Sequence, residues 1–180
     1  MKTILVFAGS TSSTSINKQL IEYTTSFLTD FEVVWIDLND FEMPIYSEDR
    51  ETEDGIPTEA VLFIDKIRQA HGIVLSLAEH NSNFTTAFKN TLDWSSRAQK
   101  EFFQHRPMLL MSTSTGGFAA GNAMALGQKI FPKFGGNIVS SFSLPSFTAN
   151  FDGKKGITDE ALKSELLEKI DEFKHYLLNS

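Results

Sequence analysis

The chain has no cysteine among its 180 residues, which rules out disulfides and cysteine-ligated metal sites. Its histidines, His71, His80, His105 and His175, stand at no metal-ligand spacing, so no metal is expected. It has no run of about 18 apolar residues, so no membrane span is expected. Positive charge is scarce: 16 Lys and Arg against 23 Asp and Glu give a net charge of −7. With no basic patch to offset it, that balance argues against a nucleic-acid partner. Repeats, low-complexity tracts and linkers are missing too. Met1-Lys2-Thr3 and the apolar residues after it superficially resemble a signal peptide. That run is about half of a signal core and leads straight into a loop and helix. The expectation is a protein of the cytoplasm.

Core-forming residues are plentiful. Hydrophobic residues make up 41% of the chain, and 16 Phe promise a large aromatic core. Such a length suits one well-buried domain over residues 1–180 better than two.

The organising stretch is Ile4-Leu5-Val6-Phe7-Ala8-Gly9, followed by the hydroxyl residues Ser10 through Ser15 and then Ile16-Asn17. Ile16, Leu20, Tyr23 and Phe27 recur at helical spacing and predict an amphipathic helix. A buried strand, a hydroxyl-rich loop and a helix N-terminus offer free N–H groups, hydroxyls and the positive end of a dipole. That is the chemistry of a phosphate site, although such a loop can also do no more than cap a helix.

A second strand is expected over 31–38, then an irregular acidic connection over 39–56. A helix opens at Pro57 and stops at His71-Gly72. The apolar run 72–77 reads as a strand covered on both faces. After 78–83, a helix carries Phe84, Phe88 and Leu92 to about Arg97. Pro107–Ser112 is another buried strand, followed by the loop Thr113-Ser114-Thr115-Gly116-Gly117. A helix over 118–134, a fifth strand over 137–144, a loop over 145–156 and a last helix capped by Thr158 complete the chain.

Strands alternating with helices specify an α/β fold, a three-layer α/β/α sandwich around a parallel sheet. With five strands the flavodoxin-like order 2-1-3-4-5 is expected. Its ligands bind beyond the carboxyl ends of the strands, where the order reverses. The loops after strands 1, 3 and 4 share that edge.

Those loops resemble the NAD(P)H-dependent FMN reductases, flavodoxin-like proteins that include quinone, azo and chromate reductases. The likeness covers most of the chain. It rests on Gly9-Ser10-x4-Ser15-x-Asn17-x2-Leu20, on Glu79-x-Asn81 leading into Phe88-Lys89-Asn90-Thr91-Leu92-Asp93-Trp94, and on Gly116-Gly117-Phe118-x2-Gly121-x-Ala123. The resemblance implies FMN as cofactor and NADH or NADPH as co-substrate. It places the FMN phosphate against Gly9, Ser10, Thr11, Ser12, Ser15, Ile16 and Asn17. The ribityl chain and ring would lie along Ala78, Glu79, His80, Asn81 and Ser82, flanked by Thr113, Ser114, Thr115, Gly116 and Gly117.

It further implies hydride transfer from the nicotinamide to the flavin and on to a small-molecule electron acceptor, with no catalytic acid or base. It also implies a homodimer packed through the helix bearing Trp94, or dimers paired into a homotetramer. Trp94 reads equally as core. Ser12 and Asn122 stand where the family usually has arginine, Ala78 where it has proline, and His80 where it has tyrosine. Hydroxyls and backbone amides would then hold the phosphate, and the preferred nicotinamide stays open. The alternatives are a flavodoxin-type electron carrier and a flavin-free descendant of the fold.

Overall fold

The computed structural model describes residues 1–179. In chain order the elements begin with β1 (Thr3–Ala8), α1 (Ile16–Thr25), β2 (Glu32–Trp35), α2 (Glu48–Asp54) and α3 (Thr58–Gln69). There follow β3 (Gly72–Leu77), the two-residue strands β4 (Glu79–His80) and β5 (Asn83–Phe84), α4 (Thr86–Ala98), β6 (Pro107–Thr113) and α5 (Gly121–Ile130). The chain continues with β7 (Asn137–Leu144), α6 (Phe147–Asn150), the short pair β8 (Phe151–Asp152) and β9 (Gly156–Ile157), and α7 (Glu160–Asn179).

The main sheet has five strands in the order β2-β1-β3-β6-β7, and every neighbouring pair is parallel. This is the expected flavodoxin-like order, with β6 and β7 as the fourth and fifth strands. All residues of β3 and β6 are buried, as continuous apolar runs covered on both faces must be. α3, α4 and α5 cover one face, where Phe7, Phe63, Phe88 and Phe131 join a single apolar cluster. α1 and α7 cover the other through Leu20, Leu166, Ile170 and Phe173. Phe7 and Phe63 meet edge to face at 5.5 Å, a preferred aromatic geometry. Ala8 lies level with Ser76, and Ser76 with Met111. That register delivers the loops after β1, β3 and β6 to one edge.

The connections depart from the sequence reading. Residues 39–56 are not irregular throughout: a 3-10 turn spans Leu38–Phe41, and Ser47 caps α2. α2 buries none of its residues. The segment 78–83 is a hairpin, β4 pairing antiparallel with β5, and its turn residues Asn81 and Ser82 both have positive φ. Such a two-residue turn matches the twist of the flanking strands. The helix expected over 118–134 begins only at Gly121, because Ala119 and Ala120 are left-handed, with φ of 55° and 59°. Trp94 is 1% exposed. Its Nε1 donates to the Pro44 carbonyl at 2.7 Å and Tyr46 packs edge-on against its ring. The apolar side of α4 is thus committed within the chain.

Candidate functional site

β1 is followed by Gly9, whose N–H donates to the Ser76 carbonyl at 2.9 Å. A side chain there would press on the Phe88 ring, 3.3 Å from where Cβ would sit, so the close approach of β1 to α4 favours glycine. Thr85 caps α4 and donates its hydroxyl to the Gly9 carbonyl at 2.8 Å. The loop then folds on its own hydroxyls. Ser12 N–H donates to Ser10 Oγ, Thr14 N–H to Ser12 Oγ and Lys18 N–H to Ser15 Oγ. Ser15 is therefore the N-cap of α1.

The backbone N–H groups of Ser10, Thr11, Ser13, Ile16 and Asn17 have no partner among the described residues. Ser10 is 6% exposed, and an unmatched donor in so sheltered a place is unfavourable unless water or a ligand accepts from it. The N-terminal end of the α1 dipole adds to that positive potential.

A cavity of about 280 Å³ opens here. It joins the predicted Ser10, Ser12, Ser15, Ile16, Asn17, Ala78, Glu79, His80, Thr113, Ser114 and Thr115, and adds Thr14. Thr11 lines a neighbouring cavity of about 310 Å³ beside Asn39, Ile45 and Asn90. Gly9 packs beneath the loop, Asn81 and Ser82 form the hairpin turn, and Gly116 and Gly117 lie in the exposed turn beyond β6.

Side chains fix how these loops face one another. Asn17 Oδ1 accepts from Ser76 Oγ at 2.7 Å and from Thr113 N–H at 3.2 Å, and its amide donates to the Thr113 carbonyl at 3.4 Å. One buried side chain so ties α1, β3 and β6 together. Glu79 reaches across to α5, where its carboxylate accepts from Ala123 N–H at 2.9 Å and from Asn122 Nδ2 at 3.1 Å. A carboxylate at a helix N-terminus is favourably placed against the dipole. Ser112 Oγ donates to the Ala119 carbonyl at 2.7 Å, and Ala120 N–H to Ser114 Oγ at 3.2 Å. These bonds hold the two left-handed alanines, whose conformation is otherwise unfavourable.

Thr14 lies in the hydroxyl run read from the sequence, whereas Ser76, Thr85 and Ser112 stand outside the motifs that resemble the family. Of these three, Thr85 alone carries a local signal, a cap residue three positions before Phe88.

No lysine or arginine lines the 280 Å³ cavity. Lys18, in the first turn of α1, is ion-paired with Asp37. Burial pushes the Asp37 carboxyl up, but the Lys18 ammonium and the Asn39 donors outweigh it and hold the carboxyl below its ordinary value of 3.8.

The donor set fits a phosphate met by neutral groups. The third loop is open, since a Cβ at Gly116 or Gly117 would meet nothing nearer than 3.9 or 4.0 Å. Among the described residues, no group of three or more His, Cys, Asp or Glu could hold a metal ion.

The family described as NADPH-dependent FMN reductase matches residues 2–174. A quinone reductase of Escherichia coli is 32% identical over 42% of this chain, which spans 40% of that relative's length. An NADPH:quinone oxidoreductase of Arabidopsis thaliana is 26% identical over 91% of this chain and 85% of its own. The structure of a flavoenzyme NAD(P)H:(acceptor) oxidoreductase from Paracoccus denitrificans superposes with a TM-score of 0.77. It is 21% identical and covers 99% of this chain and 98% of its own, a likeness of fold.

Proposed function

We propose, since the chain belongs to the NADPH-dependent FMN reductase family, that it is an FMN-dependent oxidoreductase. It takes hydride from NADH or NADPH and passes electrons to a small acceptor such as a quinone or flavin. The observation that carries this reading is the cluster of unpartnered N–H groups at the α1 N-terminus, opening into the cavity between the three loops.

In this reading Ser10, Thr11, Ser12, Ser15 and the N–H groups of Ile16 and Asn17 bind the phosphate of FMN, with Gly9 beneath them. Ala78, Glu79, His80, Asn81 and Ser82 run along the ribityl chain and ring. Thr113 to Gly117 flank the ring's other side. Bound FMN supplies the two-electron chemistry. The protein binds and orients it, and no side chain has to move a proton. Glu79 keeps the ring-facing loops in register through α5, and Asn17 does the same beneath them.

Residues 1–180 work as one flavin-binding domain, and dependence on NAD(P)H suits a cytoplasmic setting. No nucleic acid or membrane takes part. The protein acts as a homodimer, or as paired dimers, through the outer side of α4 and the neighbouring Ile45. Ile45 is 67% exposed beside Thr86, Ala87 and Asn90.

The exposed acidic helix α2 favours a second reading, an electron carrier that docks on a basic protein. Titration with FMN, followed by NAD(P)H oxidation with a quinone as acceptor, separates the two. The oxidoreductase binds one FMN per chain and turns over. A protein that binds FMN without oxidising NAD(P)H supports the carrier, and one that takes up no FMN overturns both.

A further inference from the structure

We infer that Asp37 and Asn39 form a clamp, anchored on Lys18, that presets the first loop for the phosphate of its ligand. Neither Asp37 nor Asn39 borders the 280 Å³ cavity. Both act through the loop, as positioning residues. The inference rests on the reading of that cavity as an FMN site.

The clamp is a closed circuit. Lys18 in the first turn of α1 is ion-paired with Asp37, just beyond the end of β2. Asp37 Oδ1 accepts from the Asn39 backbone N–H at 3.0 Å and from its Nδ2 at 2.8 Å. The same Nδ2 donates to the Thr11 carbonyl at 3.1 Å. On the far side of that peptide, Ser12 N–H donates to Ser10 Oγ at 3.2 Å. The planar peptide joining Thr11 to Ser12 is therefore held at both ends. Fixing it sets the direction of the loop's neighbouring N–H groups, those of Thr11 and Ser13, which have no partner among the described residues. Donors held in place before binding spare the ligand the entropy of ordering them.

The circuit also has an electrostatic consequence. With Lys18 neutralised by Asp37, the loop meets an anion with neutral donors and a helix dipole, so its affinity depends on how well those donors are aimed. Loss of the clamp should then penalise the phosphate and spare the rest of the ligand.

The experiment compares FMN with riboflavin, which lacks the phosphate, by titration into apo-protein, with thermal midpoints as a check on folding. Wild type should prefer FMN. Asn39→Ala should weaken FMN about tenfold, the scale of one lost hydrogen bond to a charged group, and leave riboflavin within about twofold. Asp37→Ala, which leaves Asn39 present but unoriented, should lose part of the same preference at salt high enough to screen the Lys18 charge that it frees. Combined with Asn39→Ala it should add little, because the two act in series. A wild type that binds both ligands equally overturns the phosphate site and the clamp with it. A wild-type preference that survives in both single variants overturns the clamp alone. So does an equal loss of both ligands, which would mark a merely structural role.

Discussion

At the scale of single residues, the first loop works by placement of donors. Ser15 has two tasks: its Oγ accepts from Lys18 N–H as the cap of α1, and its hydroxyl proton remains available to the cavity it lines. Ser15→Ala should therefore lower stability by about 1 kcal/mol, the usual worth of a cap, and also weaken FMN about tenfold. Thermal unfolding of the apo-protein and an FMN titration read the two effects separately. Ser12→Arg should put a cation into a cavity that has none, tightening FMN and making its affinity fall more steeply with salt. Titrations at low and high salt check this, and an unchanged salt dependence would count against a phosphate in the loop.

Asp37 gives the residue scale a pH dependence. Its carboxyl is held below 3.8 in the folded chain. Its contribution to stability is thus complete above the ordinary carboxylate range and is lost as pH falls through the lowered folded value. Asp37→Asn should flatten the acid side of the stability profile below about pH 4, as followed by circular dichroism, and leave stability near pH 7 lower than wild type.

At the scale of elements, α4 and the segment before α2 form a unit that the loops rest on. Asn90 accepts from Tyr46 N–H at 2.9 Å and donates to the Met43 and Pro44 carbonyls, both at 3.1 Å. Trp94 donates to the same Pro44 carbonyl. Arg97 and Tyr46 both bond the Glu51 carboxylate, which tethers the otherwise unburied α2. The Arg97 guanidinium accordingly holds the Glu51 carboxyl below its usual range. Trp94→Ala should cost about 3–5 kcal/mol, because it opens a cavity in a filled site and leaves the segment before α2 without its anchor at Pro44. Denaturant unfolding measures this. A loss under about 1 kcal/mol would mean that the segment packs without the indole.

At the scale of the whole molecule, the question is what the exposed apolar residues near α4 are for. The buried state of Trp94, Phe84 and Phe88 moves the proposed contact away from those aromatics to Ile45 and the outer side of α4. Ile45→Glu should shift the protein toward monomer in sedimentation, since an unpaired charge is costly to bury at an interface. A wild type that already sediments as a monomer at tens of micromolar would remove that contact.

The sequence by itself determined the layering and the edge where the site lies. Six buried residues in β3 and seven in β6 announce strands covered on both faces, and the 3.6-residue stripes of α1 and α7 announce what covers them. These are local, periodic signals, and the parallel order follows once they alternate. The glycine and hydroxyl loops were legible because turn and cap chemistry is written in adjacent residues.

Only the tertiary structure decided which polar side chains line the cavity between the loops and which hold the frame. Asn17 lies 96 residues from Thr113, Glu79 lies 44 from Ala123, and Asn39 lies 28 from Thr11. Their partners are set by strand register and loop approach, which no periodicity encodes. The left-handed Ala119 and Ala120 were hidden for the same reason. Alanine favours helix locally, and hydrogen bonds with the side chains of Ser112 and Ser114, with the tether from Glu79 to α5, hold those residues in a conformation they would not choose alone.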